Sequence, residues 1–294
     1  MIYDATSSAF AYIPDSSDTE PAHKLRDKML SLRRYIRSAE TYFPSLHDSR
    51  FACERALRRA FRVPHDSDWY AFRLLKIGSG NILDIGANRG LSIQSFRTML
   101  PGRRIIAFEP NKHLADILKS AYRRSVGVEI RATGLSDCHG TAVLYIPQYR
   151  GWVFDSLASV YRDPAMAWLN RHTLAGFDAR HLTCIEVNVT LQKLDDLELE
   201  GIAVMKIDAQ GSEIRILRGA MSIISESRPI ILAEDVGTEI VHLLNPLGYR
   251  PYIYRQGSLL PDRVDAVNVF LLHTSHLQTP LPSNHPGAGA PEAG

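Results

Sequence analysis

Cysteine is scarce in this chain of 294 residues: Cys53, Cys138 and Cys184 are odd in number, far apart and without a C-x-x-C pair. That excludes a disulfide framework and a cysteine zinc site, and it fits thiols kept reduced in a cytoplasm. Long apolar runs are missing too, so no segment reaches the roughly 20 residues needed to cross a bilayer. The opening "MIYDATSSAFAYIPDSSD" has no basic start and no apolar centre, which argues against a signal peptide. Strong net charge is absent: the formal value is +2, too weak a field for nucleic acid as an obligatory partner. No internal repeat is visible. What remains is ordinary for a globular chain, 45% hydrophobic and 22% charged, long enough for one large core and a small appendage.

The charge is unevenly spread. Between Lys24 and Arg62 stand eleven Lys and Arg against four Asp and Glu. Leu25, Met29, Leu32 and Ile36 recur at helical spacing, with arginines on the other faces. A second helix is predicted from an N-cap at Asp48 through "RFACERALRRAFRV" to the stop at Val63-Pro64. Residues 1–77 thus read as a helical extension. Its arginines are solvated faces of helices packed on the main domain, or else they steer an anionic substrate or touch an acidic membrane surface.

From residue 81 strands and helices alternate. "NILDIG", "RIIAFEP", "VGVEIRATGL", "AVMKID" and "PIILAED" read as five strands with amphipathic helices between them. "RPYIYR" and "VNVFLLH" add a terminal antiparallel pair. Near-continuous apolar strands separated by helices mean an α/β fold: a mostly parallel seven-stranded sheet with helices on both faces, occupying 78–275. Residues 148–181 fall outside the alternation, are long for a connection and carry aromatics throughout, as an inserted lid or cap does. The Pro/Gly/Ala-rich tail, 276–294, reads as disordered.

In an open parallel sheet, ligands sit outside the carboxyl ends of the strands. Those ends carry Asp84, Gly86, Asn88 and Gly90, then Glu109, then Ser136 and Asp137, then Asp208, then Glu234 and Asp235. So many carboxylates suit a ligand rich in donors and positive charge and repel a pyrophosphate. S-adenosylmethionine fits: Gly86 and Gly90 admit its methionine end, Glu109 accepts from the ribose diol, and Asp137 accepts from the adenine amine. A nicotinamide-dependent oxidoreductase on a similar fold is the rival; Asp84 in the loop and the missing G-x-G-x-x-G count against it. A non-catalytic S-adenosylmethionine-binding scaffold is the second rival.

"LDIGANRG", "AFEPN", "GLSDCHGTAVLY", "VTLQKLDDL" and "VMKIDAQGSEIRILRGA" resemble, in order and spacing, the FkbM family of S-adenosylmethionine-dependent methyltransferases over about residues 78–236. The resemblance implies a Rossmann-like class I methyltransferase fold and, usually, transfer to a hydroxyl oxygen of a sugar, glycolipid or polyketide. Carried over position by position, the cofactor contacts fall on Asp84, Gly86, Asn88, Gly90, Glu109, Ser136 and Asp137, and the signature segment contributes Lys206, Asp208 and Glu213. Gln210 stands where many members have glutamate. Arg89 is expected to point away from the ligand.

The expected activity is therefore cytoplasmic O-methylation of a small-molecule or glycan acceptor, with no nucleic acid, no transmembrane segment and an open oligomeric state. Asp208 orients or deprotonates the acceptor hydroxyl, or else caps the helix that follows. Glu234 is the second catalytic candidate, or a charge paired with Arg228 or Arg255. Glu213 reads as a helix-start carboxylate. No metal site is assigned, although Asp208, Glu234 and Asp235 supply ligand types for Mg²⁺. His113, His139, His172 and His181 flank the crevice as alternative bases. Trp152, Phe154, Tyr161 and Trp168 read as the core of the inserted segment or as a sugar-stacking surface.

Overall fold

The computed structural model describes residue 32 and residues 34–277; Leu25, Met29 and nearly all of the tail lie outside the described residues. Helical turns cover 34–40. Helix α1 spans His47–Phe61 and ends at Arg62, which takes the left-handed conformation ahead of Pro64. The helix starts one residue before the predicted N-cap, so Asp48 lies in its first turn, with its carboxylate on Arg89. The expected solvated arginine face holds for Arg59 and Arg62, which are exposed, but not for the others. Arg50, Arg55 and Arg58 turn inward to Glu40, to the Arg89 carbonyl, and to Glu54 with the Pro64 carbonyl. Fixed acceptors inside the protein win over solvent because guanidinium groups hold planar, directed hydrogen bonds.

The main sheet begins with β1 (Asn81–Ile85), α2 (Leu91–Met99), β2 (Ile105–Phe108), α3 (Lys112–Tyr122) and β3 (Val128–Arg131). Asn111 caps α3 by accepting the His113 N–H at 3.1 Å. The chain then leaves the sheet for β4 (Gly134–Leu135), β5 (Gly140–Tyr149), β6 (Trp152–Val153), α4 (Arg162–Ala167) and β7 (Leu182–Gln192). It returns as β8 (Ile202–Ile207), α5 (Glu213–Arg218), α6 (Met221–Ser227), β9 (Ile230–Glu234), α7 (Thr238–Leu244), β10 (Tyr249–Arg255), β11 (Ser258–Pro261) and β12 (Asn268–His273).

The order is β11-β10-β12-β9-β8-β1-β2-β3, with β3, β2, β1, β8 and β9 parallel and β12 antiparallel between β9 and β10. The sheet is thus eight-stranded and mixed, not the predicted seven. The extra edge strand β11 pairs with β10 through a two-residue turn in which Gln256 and Gly257 both have positive φ, 47° and 82°. Such primed turns match the twist of the strands they join. The predicted third strand, 126–135, also divides: β3 stays in the main sheet, while β4 pairs with β7 in a second sheet of order β4-β7-β5-β6. The single predicted helix after β8 breaks at Gly219, where an added Cβ would meet the Ser136 carbonyl at 2.0 Å.

Strand alternation divides the core. Leu83, Ile85, Met205, Ile207 and Ile231 pack on one face, and Ile82, Val204, Ile230 and Leu232 on the other. The second face continues into Asp84, Lys206 and Glu234, two residues further along three neighbouring strands. Asp84 and Lys206 are register partners. The residues of 148–181 hold a separate small core of Tyr149, Trp152, Phe154, Leu157, Leu169 and Leu174.

Candidate active site

The loop after β1 turns through three left-handed residues, Gly86 (φ 76°), Asn88 (φ 46°) and Gly90 (φ 78°). A Cβ on Gly86 would lie 1.8 Å from the Asp208 carbonyl oxygen, and one on Gly90 would lie 2.7 Å from Leu118 Cδ2. Both glycines therefore answer to crowding by the protein itself, whatever ligand lies beyond. The Asn88 N–H donates to Glu109 Oε2 at 2.7 Å, and the Asn111 N–H to Glu109 Oε1 at 2.8 Å. Burial pushes the Glu109 carboxyl up to about 7 even though these two N–H donors favour its ionised form.

Behind the loop, Asp84 is fully buried. Ser92 donates to its Oδ2 at 2.6 Å, and its Oδ1 has no hydrogen-bond partner. Lys206 Nζ lies 3.7 Å from Asp84 and 3.4 Å from Asp208, and donates to the Gly86 carbonyl at 2.9 Å. Burial alone would lower the Lys206 pKa, but Asp208, Asp84 and Glu234 carry it above the ordinary lysine value. Burial, with Asp208 nearby, raises Glu234 well above the carboxylate range.

Asp208 does not cap α5. Its Oδ1 accepts from the Gln210 side-chain amide at 2.9 Å. Glu213 folds back instead and accepts the N–H groups of Ala209 and Gly211, both at 2.9 Å, which fixes the loop after β8. Gln210 stands in this loop at φ 48°, and its carbonyl accepts from Ser159 of the inserted segment at 2.9 Å.

Two clefts open over these strand ends. The first encloses about 790 Å³ to its mouth, with apolar walls from Phe108, Leu114, Leu135 and Ile216 and polar contributions from Glu109 and Asn111. The second, about 1100 Å³, is the more polar of the two, lined by His47, Arg50, His65, Asp66, Lys206 and Glu234 among others. Gly86, Asn88, Asp155, Ser156, Asp208 and Gln210 line both, so the clefts meet over Asp208.

The arrangement thus brings Gly86, Asn88, Glu109, Asp208 and Glu234 to cleft walls. Asp84 and Gly90 support the loop from behind without lining either cleft. Nor do Ser136 and Asp137 line one: the Ser136 hydroxyl donates to Asp137 Oδ1, which also takes Arg215 Nε at 3.1 Å. The neighbouring arginine on α5 draws the carboxylate away from the crevice. Arg255 pairs with Asp265, which removes one of the two partners expected for Glu234.

Among the described residues no three His, Cys, Asp or Glu side chains converge to hold a metal ion. The cation set between Asp84 and Asp208 is the Lys206 ammonium, and Asp235 is exposed at φ 51°. These residues do not fit a Mg²⁺ site. His113, His139, His172 and His181 line neither cleft; His139 sits on the surface, 2.6 Å from Asp196. Trp152 and Phe154 are core residues of the inserted segment, Arg37 lies over Trp168, and Tyr161 is 45% exposed.

Sequence reasoning missed the arginine at the centre of the site. Arg89 is buried, and its Nε and Nη2 donate to Asp155 Oδ2 at 2.9 and 2.6 Å. Nη2 also meets His47 Nδ1 at 3.0 Å, and Nη1 pairs with Asp48. One side chain of the glycine loop therefore ties α1 to the inserted segment. No local pattern announces Asp155 or His47. Lys206 did carry a signal, being a lone charge inside the apolar run "AVMKI".

The strand order and the glycine loop at the end of β1 suit the α/β methyltransferase class. The family model for the methyltransferase FkbM domain matches residues 84–251, more than half of the chain. The chain belongs to that family. Membership implies S-adenosylmethionine, and the first cleft sets the acceptor Glu109 beside apolar walls, the chemistry that an adenosine calls for. Methyltransferase sdnD of Sordaria araneosa is 29% identical over 201 residues, covering 62% of this chain and 72% of that protein. A methyltransferase FkbM from Methylobacillus flagellatus is 15% identical, with a TM-score of 0.41, over 66% of this chain and 43% of that one. An S-adenosylmethionine-dependent O-methyltransferase from Thermotoga maritima is 14% identical, with a TM-score of 0.33, over 71% and 64% of the two chains. The chain thus spans less than half of the first of these solved structures.

Proposed function

We propose that the chain is an O-methyltransferase acting on a hydroxyl of a sugar, glycolipid or other secondary metabolite. The observation that carries this reading is the meeting of a more apolar and a more polar cleft over Asp208, the shared carboxylate that is not tied up by Arg89 as Asp155 is. S-adenosylmethionine, when bound, supplies an electrophilic methyl group. Glu109, Asn88, Gly86 and the apolar walls would hold it in the first cleft. The polar cleft then takes the acceptor. Asp208, held by Gln210 and Lys206, orients the acceptor hydroxyl and takes its proton. Glu234, on the wall of the same cleft and with its pKa raised by burial, is the second acid beside the acceptor. Lys206 keeps the Gly86 carbonyl and two carboxylates in place. Residues 148–181 serve as a cap, since Asp155 and Ser156 line both clefts. The boundaries 78–275 for the catalytic domain and 1–77 for its extension belong to this reading.

Titration calorimetry with S-adenosylhomocysteine tests it, because Glu109 ionises near pH 7 and a carboxylate accepts from a diol better than a carboxylic acid does. Affinity should rise several-fold between pH 6 and pH 8, and Glu109→Gln should bind weakly with no such slope. Affinity for NADH instead would overturn the cofactor reading. Methyl transfer to nitrogen or carbon acceptors and never to hydroxyls would overturn the O-methyl reading.

A further inference from the structure

Helix α1 is built inside out. Arg50, Glu54, Arg55 and Arg58 face the protein, and Ala52, Cys53, Ala56, Leu57, Ala60 and Phe61, at spacings of one and four, form an apolar stripe on the solvent side. Leu57 is 53% exposed and Phe61 73%. The chain leading into α1 adds Tyr42, Phe43 and Leu46, all more than half exposed. Scattered exposed apolar residues need no explanation, but a contiguous stripe on one helix does.

The unpaired charges at the end of the stripe are basic. Each carboxylate from 34 to 63 is paired with an arginine: Glu40 with Arg50, Glu54 with Arg58, and Asp48 with Arg89. The charges left outward on the last turn, Arg59 and Arg62, are basic and exposed. A second copy of the chain is a poor occupant, because a two-fold contact would set this patch on itself and offer its arginines no acid. An apolar helix face with exposed aromatics and an arginine rim has the chemistry of an interfacial membrane helix.

We propose that the outer face of α1 docks on an anionic lipid bilayer. The docking is independent of the methyltransferase reading. It places the polar cleft, lined by the inner face of the same helix through His47, Arg50 and Phe51, next to the membrane surface.

Co-sedimentation of the full chain with vesicles of phosphatidylcholine alone, or of equal parts phosphatidylcholine and phosphatidylserine, tests this. Binding is expected only to the anionic vesicles. It should be lost in Leu57→Asp/Phe61→Asp and weakened about thirty-fold in Arg59→Gln/Arg62→Gln, at about 1 kcal/mol for each basic side chain near such a surface. These side chains are exposed, so S-adenosylhomocysteine affinity and circular dichroism should not change. Cys53, exposed on the stripe, reports occupancy: its alkylation, followed by mass spectrometry, should be fast in free protein and slowed by anionic vesicles. Equal binding to neutral vesicles, or none, overturns the proposal. So does a Cys53 already protected without lipid, whether in a dimer seen by sedimentation or in a monomer covered by its own residues 1–31.

Discussion

Replacing Lys206 with methionine tests the electrostatic account of the site most directly. The side chain keeps its length and apolar stem but loses the ammonium. In the wild type that ammonium lies 3.7 Å from Asp84, a fully buried carboxylate whose one hydrogen bond comes from Ser92. It also donates to the Gly86 carbonyl at 2.9 Å. Removing one partner of a buried ion pair leaves an uncompensated charge and costs roughly 3–5 kcal/mol. For a domain of this size that is a fall of ~6–20 °C in Tm. Because the penalty resides in the stranded Asp84, adding Asp84→Asn should restore most of the loss, giving a coupling energy of about 2 kcal/mol or more. The pH dependence has a defined sign. Burial raises the Asp84 pKa and Lys206 is the largest opposing influence, so the variant's Asp84 titrates higher still. An acid whose folded pKa exceeds its unfolded value contributes most stability at low pH and loses it as pH rises through the folded value. The deficit of Lys206→Met should therefore shrink toward acid and grow toward neutrality. Urea titrations of the four variants from pH 5 to pH 8 measure all of this. A deficit under about 1 kcal/mol, or strict additivity in the double variant, would refute the reasoning.

Two further perturbations follow from the same loops. Gly86→Ala puts a Cβ 1.8 Å from a backbone oxygen at φ 76° and should cost several kcal/mol, whereas Gly102→Ala, at φ 81° with no atom within 4 Å, should cost about 1 kcal/mol from backbone strain alone; thermal melts compare them. Arg89→Met strands Asp155 and should lower stability by roughly 3 kcal/mol. It should also raise the His47 pKa, which burial first and Arg89 next hold below the ordinary value; a proton NMR titration of His47 that stays low would sink the idea that Arg89 joins these elements.

The parallel strands and the helix that follows β2 were legible because each is set by local pattern: buried strands are apolar throughout, and Asn111 caps the helix it precedes. The glycine loop and Glu109 were legible for the same reason, since strand ends in such a sheet fall together. The expected jobs of the glycines shifted, because only the fold brings the Asp208 carbonyl and Leu118 against them. Ser136 and Asp137 followed their motif in sequence, yet Arg215, 78 residues away, redirected the carboxylate. The inward turn of Arg50, Arg55 and Arg58 on α1 was equally invisible, since an amphipathic pattern does not say which face finds partners. The sequence alone therefore determined the alternating α/β chain, its family and which strand ends carry acids. Tertiary structure alone decided that Lys206 lies between Asp84 and Asp208, that Arg89 joins α1 to the inserted segment, and that two clefts meet over Asp208. The physical reason is separation along the chain: periodicity and capping act within a few residues, whereas each of these contacts joins segments distant in sequence whose approach depends on the whole packed sheet.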